Sequence, residues 1–140
     1  MAKPRNGKRT PHYHFFEPPV ETRPELLPLH DPNWPWDRFE AFCRDLVSHY
    51  PGVVDSHHYG KGGSRQKGID LYADFEDGRR WTFQCKQRKT FKAADAKKAI
   101  TDTSYKADRH IILVSTELGS EVRDVFKRRS KWEIWDIRDI

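Results

Sequence analysis

Gly68-Ile69-Asp70-Leu71-Tyr72-Ala73-Asp74-Phe75-Glu76-Asp77-Gly78-Arg79-Arg80-Trp81-Thr82-Phe83-Gln84-Cys85-Lys86 is the stretch that decides how this chain is read. From Ile69 to Phe75 the odd positions are apolar and the even ones polar, the period of a half-buried strand. Trp81 to Lys86 alternates in the same way, and Asp77-Gly78 between the two runs is a hairpin signal. Loop length then settles which side chains share a face. A two-residue loop would set Asp70 opposite Cys85, on the wrong side of the sheet. A three-residue loop, Glu76-Asp77-Gly78 with Gly78 left-handed, sets Phe75 opposite Arg79, Ala73 opposite Trp81, Leu71 opposite Phe83 and Asp70 opposite Gln84. Every apolar residue then falls on one face, and Asp70, Gln84 and Lys86 fall on the other. Lys86 stands roughly 6.6 Å beyond Gln84 at about 3.3 Å per residue, within reach of one bound phosphate.

Outward from the hairpin, a helix is expected from a cap at Asn33 through Trp36 to Val47, ending before Pro51. Trp36, Phe39, Cys43, Leu46, Val47 and Tyr50 form its apolar face. Glu40 lies on the border of that stripe, where a carboxylate needs a partner cation or hydrogen bonds; pairing with Arg44 at i+4 is the simplest choice. A strand fits Val53 to Tyr59. His57 and His58, as neighbours on it, point to opposite faces, so at most one meets the polar face, and both are read as structural or exposed. The basic loop of residues 60–68 leads into Asp70 but lacks the order of a nucleotide-binding P-loop. Beyond Lys86 the pattern gives a helix near Phe91 to Ile100, a strand at Arg109 to Val114, a helix from Ser120 to Arg129 and a strand from Lys131 to Asp136. The run Ile111-Ile112-Leu113-Val114 is that of a central strand covered on both sides. The order α-β-β-β-α-β-α-β, with three antiparallel strands followed by right-handed crossovers, describes an α/β (α+β) fold whose mixed sheet lies between helices.

At 140 residues the chain has room for one domain, residues 31–140, preceded by an arm over residues 1–30. Eight of the nine prolines lie in the first 35 residues, and no acid occurs in the first ten. This is the composition of an extended basic arm. His12 and His14 flank Tyr13 in it, with no second cluster at metal-ligand spacing. The net charge is +5, and its distribution is uneven: residues 79–98 hold eight Lys and Arg against the single acid Asp95. A positive field centred on the Gln84–Lys86 strand suits a polyanionic partner. Cys43 and Cys85 occupy apolar slots, as packed free thiols of a reducing cytoplasm. No apolar run reaches the roughly 18 residues of a membrane span, and no secretory leader is visible.

The order of elements and the D…QxK pattern resemble the restriction-endonuclease-like PD-(D/E)xK nucleases, specifically the Mrr-like branch in which Gln replaces the motif's acid. The resemblance covers Trp34 to Ile140, with Ile69 in the place of the name's proline. It implies that Glu40 is the acid of the first helix, Asp70 the metal-binding aspartate, and Gln84 and Lys86 the Q-x-K. The metal ligands would be Asp70, the Gln84 side-chain oxygen and the Cys85 backbone carbonyl, holding Mg²⁺ with Mn²⁺ as a substitute, and Lys86 would orient the attacking water. Lys61, Arg65, Lys67, Arg88, Lys89 and Lys92 would contact nucleic acid, DNA first and RNA left open. The resemblance further implies an effector of restriction or antiviral defence, excised from a larger protein with a sensor or NTPase module, and a homodimer where both strands are cut. Two readings compete with the nuclease: a catalytically silent nucleic-acid-binding module, and an Asp70–Lys86 pair that is only a cross-strand salt bridge.

Overall fold

The alternating runs form the expected hairpin. In the computed structural model, which describes residues 35–59 and 67–140, β1 (Val53–His58) and β2 (Leu71–Phe75) precede β3 (Arg80–Lys86). Leu71 lies opposite Phe83, Ala73 opposite Trp81 and Asp74 opposite Arg80. The Phe75 N–H donates to the Arg79 carbonyl at 2.9 Å, which closes a three-residue loop with Gly78 at φ +87°. β1 adds antiparallel to β2 with a register shift between Val53 and Asp55. β4 (Arg109–Val114) and β5 (Trp132–Trp135) then continue the sheet in parallel, in the order β1-β2-β3-β4-β5.

Helices cover both faces because β4 alternates between two cores. α1 (Trp36–Ser48) lays Phe39, Cys43 and Val47 on Leu71, Ala73, Phe83, Ile111 and Leu113. α2 (Ala93–Asp102) and α3 (Ser120–Phe126) pack Ala96, Ala99, Val122 and Phe126 with Ile112, Val114 and Ile134. Cys43 and Cys85 are free thiols. Contact with Cys43, and then burial, push the Cys85 thiol well up.

Several expectations are corrected. α1 is capped by Pro35, which is extended at ψ 151° and whose carbonyl accepts from the Arg38 and Phe39 N–H groups. Trp36 is 63% exposed rather than packed, because the periodicity runs one turn past the stretch that meets the sheet. α3 stops at Phe126; residues 127–130 are exposed and have no apolar side chain to bury. The strand expected from Lys131 to Asp136 is shorter, Trp132–Trp135, and the last residues make a turn on Asp136, whose carbonyl accepts from the Asp139 and Ile140 N–H groups. The proposed cap Asn33, the arm with His12 and His14, and Lys61 and Arg65 lie outside the described residues.

Gly68 is required by a close approach. Its φ is +82°, and a Cβ there would stand 2.8 Å from both the Asp102 carbonyl oxygen and Thr103 Cα. Gly78 has a similar φ, with nothing within 4 Å of an added Cβ. We expect Gly78→Ala to cost about 1–2 kcal/mol for the left-handed backbone, and Gly68→Ala that plus about 1–3 kcal/mol of overpacking. Urea unfolding of the two variants measures the difference, and equal losses would refute the contact.

Candidate active site

Asp70 immediately precedes β2, and its backbone is held from both sides. Its N–H donates to the Phe83 carbonyl at 2.9 Å, and its carbonyl accepts from the Tyr59 N–H at 2.8 Å. Its Oδ2 accepts from the Cys85 backbone N–H at 2.8 Å, while Oδ1 carries no hydrogen bond among the described residues. Because the N–H and C=O of one strand residue point to the same side, the Cys85 carbonyl also faces this edge. Burial raises the Asp70 carboxyl above its ordinary value; the Cys85 N–H works against that, and the charge of Glu40 adds to the rise. Lys86 and His58 pull weakly downward. No ion pair joins Asp70 to Lys86 among the described residues, so the simple cross-strand salt bridge is not what the hairpin builds.

Gln84 is 4% exposed, and its Nε2 donates to Thr103 Oγ1 at 2.8 Å. Asp70, Gln84 and Lys86 line one cavity of about 290 Å³, closed on the other side by Phe91, Ala99 and Asp102 and edged by Arg88. The parity argument thus brings its three residues to one place. Glu40 reaches the same neighbourhood from α1: its carboxylate is 14% exposed, influences Asp70, and is hydrogen-bonded to His58 Nε2. Its partner is therefore His58 on β1 and not Arg44, because a group on the stripe border turns toward the sheet. His57 pairs instead with Asp55, at 2.8 Å.

The eight cations of residues 79–98 are not equally available. Arg80 makes a two-pronged pair with Asp74, Lys98 bonds Asp102 at 2.6 Å, and Arg79 lies 3.6 Å from Asp77. Arg88 is 3.9 Å from Asp95 at the rim of the cavity, and Lys67, Lys89 and Lys92 are exposed. A larger depression of about 590 Å³, near Phe126, Trp132 and Trp135, holds none of the trio.

The donor set fits a hard cation. Among the described residues no three His, Cys, Asp or Glu side chains gather at one point, so there is no closed cage of the zinc type. The cavity offers instead the Asp70 carboxylate, its other two acids Asp95 and Asp102 being paired with Arg88 and Lys98, and the buried Gln84 amide oxygen, which has no protein partner among the described residues; the Cys85 backbone carbonyl faces the same edge. Mg²⁺ accepts such sparse oxygen sets because it keeps several of its waters.

Residues 32–140 match the Mrr catalytic-domain family, described as a restriction endonuclease. The chain belongs to that family. The five-stranded mixed sheet of this Mrr-type domain, with α1 on one face and α2 and α3 on the other, is the restriction-endonuclease-like fold. No curated protein and no solved structure matches the chain. No helix among the described residues is long and apolar enough to cross a membrane.

Sequence reasoning missed two residues of this neighbourhood. His58 had a readable signal, since Glu40 needed a partner and one of two adjacent histidines had to face it. Thr103 had none, lying nineteen positions from Gln84 at the end of α2.

Proposed function

We propose that this Mrr-type domain is a Mg²⁺-dependent endonuclease that hydrolyses phosphodiester bonds of DNA. The observation that carries the reading is the convergence of the Asp70 carboxylate, the buried Gln84 amide and the Lys86 ammonium on one cavity. Asp70, Gln84 and the Cys85 carbonyl hold the ion, with Mn²⁺ as a substitute. Once bound, it supplies positive charge for the phosphate and acidifies water. Lys86 donates hydrogen bonds to a phosphate oxygen or to the attacking water and offsets the charge that gathers on the phosphate. Glu40, held by His58, supplies near Asp70 the negative charge that Gln84 lacks. Arg88, Lys67, Lys89 and Lys92, with Lys61 and Arg65 of the preceding loop, bind the backbone without reading sequence. Cutting both strands would take a homodimer, and target choice in a cytoplasmic defence role would rest with an attached sensor or NTPase module.

Nicking of supercoiled plasmid in Mg²⁺, Mn²⁺ and EDTA, with an RNA substrate alongside, tests this. Cleavage is expected with either ion and not in EDTA. Lys86→Ala is expected to slow it by about 10²-fold or more. The same variant should keep salt-dependent DNA binding, with the salt slope reduced by about 1 at most. A well-folded wild type that binds DNA and cuts nothing would leave the silent binding module as the function.

A further inference from the structure

The amide at Gln84 raises a problem that an acid would not. A carboxylate presents two equivalent oxygens and can meet a cation either way round. An amide has one oxygen and one NH₂ group, and with the wrong end forward it aims two donors at the ion. Something must hold it the right way.

We propose that Thr103 is that positioning residue: its hydroxyl binds the nitrogen end of Gln84 and so turns the amide oxygen toward the cavity. This rests on the nuclease reading above. A hydroxyl has one proton, and that of Thr103 is committed to the Ala99 carbonyl at 2.8 Å. Toward Gln84 the oxygen therefore only accepts, and it accepts from Nε2 at 2.8 Å. Flipping the amide would set its oxygen against the Thr103 lone pairs, or would take the hydroxyl proton from Ala99 and leave that carbonyl without this bond. Thr103 is itself held in place. It caps α2, with its N–H on the Ile100 carbonyl, and the Gly68 backbone packs on it so closely that no Cβ fits between them. The Lys67 carbonyl also accepts from the Ser104 N–H at 3.1 Å, tying the approach to Asp70 to the same helix end. One junction thus sets both the strand entry that carries Asp70 and the orientation of Gln84.

The test is a double-mutant cycle on the 140-residue chain, read by Mn²⁺ binding in electron paramagnetic resonance and by the Mg²⁺ concentration that half-activates plasmid nicking. Thr103→Val should weaken Mn²⁺ binding by about 10–100-fold, the usual cost of losing a residue that orients a ligand. It should raise the half-activating Mg²⁺ concentration in parallel, with most of the rate recovered at saturating Mg²⁺. Thr103→Ser, which keeps the hydroxyl, should stay within about threefold. In a Gln84→Glu background, where either oxygen serves, the Thr103→Val effect should shrink to a small fraction of its size. An equal penalty in both backgrounds would assign Thr103 a purely structural role and overturn the proposal, as would wild-type Mn²⁺ binding in Thr103→Val. Wild-type protein that neither binds Mn²⁺ nor nicks DNA would sink the nuclease reading together with it.

Discussion

Asp70→Asn should abolish cleavage and leave the protein at least as stable as the wild type. Its asparagine oxygen can still accept the Cys85 N–H that Oδ2 now takes at 2.8 Å, so the local fold keeps its hydrogen bond. What disappears is a negative charge that burial and Glu40 both disfavour. On the proposed nuclease reading, that charge serves a bound cation. With it gone, the rate should fall by on the order of 10²–10³ or more, the loss seen when one preorganised group that answers transition-state charge is removed. A site strained in the empty protein and relieved by its ligand is the usual trade of stability for activity.

The pH dependence fixes the sign. Since the folded-state value is raised, the folded protein binds more protons than the unfolded chain between the ordinary carboxyl value, about 3.9, and the raised one. Stability from this group is highest below that window and falls as pH rises through it. The advantage of Asp70→Asn over wild type should therefore be absent near pH 3.5, open as pH rises, and be complete once Asp70 is ionised. Divalent ions should reverse the ranking. At a concentration 100 times its dissociation constant, an ion stabilises the protein that binds it by about 2.7 kcal/mol, and only wild type should respond. Thermal melts with and without Mg²⁺ across this pH range would decide it. A variant clearly less stable than wild type at neutral pH would make the charge structural, and retained cleavage would remove Asp70 from the reaction.

How much of this was legible in the sequence depends on the range of each interaction. The Leu71–Phe83 register followed from alternation and loop parity because both are local, and a slip would turn every apolar side chain of the hairpin outward. Asp70 and Gln84 came together by the same argument. Glu40 was half legible: its position on the helix stripe demanded a partner, but the identity of His58 depended on how α1 lies against β1. Thr103 was invisible because its link to Gln84 follows from where α2 ends over the sheet, and Thr103-Ser104 carries no helix-stop signal of its own. Asp136 was passed over as the last residue of a strand, since nothing in periodicity distinguishes a carboxylate that solvent reaches from one that arginines enclose.

Asp136→Ala should cost about 3–5 kcal/mol, the price of breaking a buried ion pair from one side. The Asp136 side chain is fully buried just beyond β5. Its Oδ2 accepts from the Leu118 N–H at 3.0 Å and from Arg138 Nη2 at 2.7 Å, and lies 2.9 Å from Arg123 Nη2; its Oδ1 accepts from the Arg138 N–H at 2.8 Å. Burial alone would raise this carboxyl, but the bonds from Arg138, Leu118 and Arg123 outweigh it and hold it well below the ordinary range. The truncation strands the Leu118 N–H, which lies between β4 and α3 and is buried with its residue. Arg123 retains Asp139 at 3.0 Å, and Arg138 is half exposed, so water and that second acid soften the loss toward the lower figure. The sign with pH is opposite to that of Asp70. A depressed carboxyl stabilises the folded protein fully above the unfolded value of about 3.9, and that contribution is lost as pH falls toward the folded value. Wild type should show a steep acid limb below pH 4 that Asp136→Ala largely lacks, so the two stabilities should converge in acid. None of the Asp136 partners lines the Asp70–Gln84–Lys86 cavity. At a temperature where the variant remains folded, its nicking rate per folded molecule should therefore match wild type, and a selective rate loss there would mean that α3 and β5 reach the site through β4.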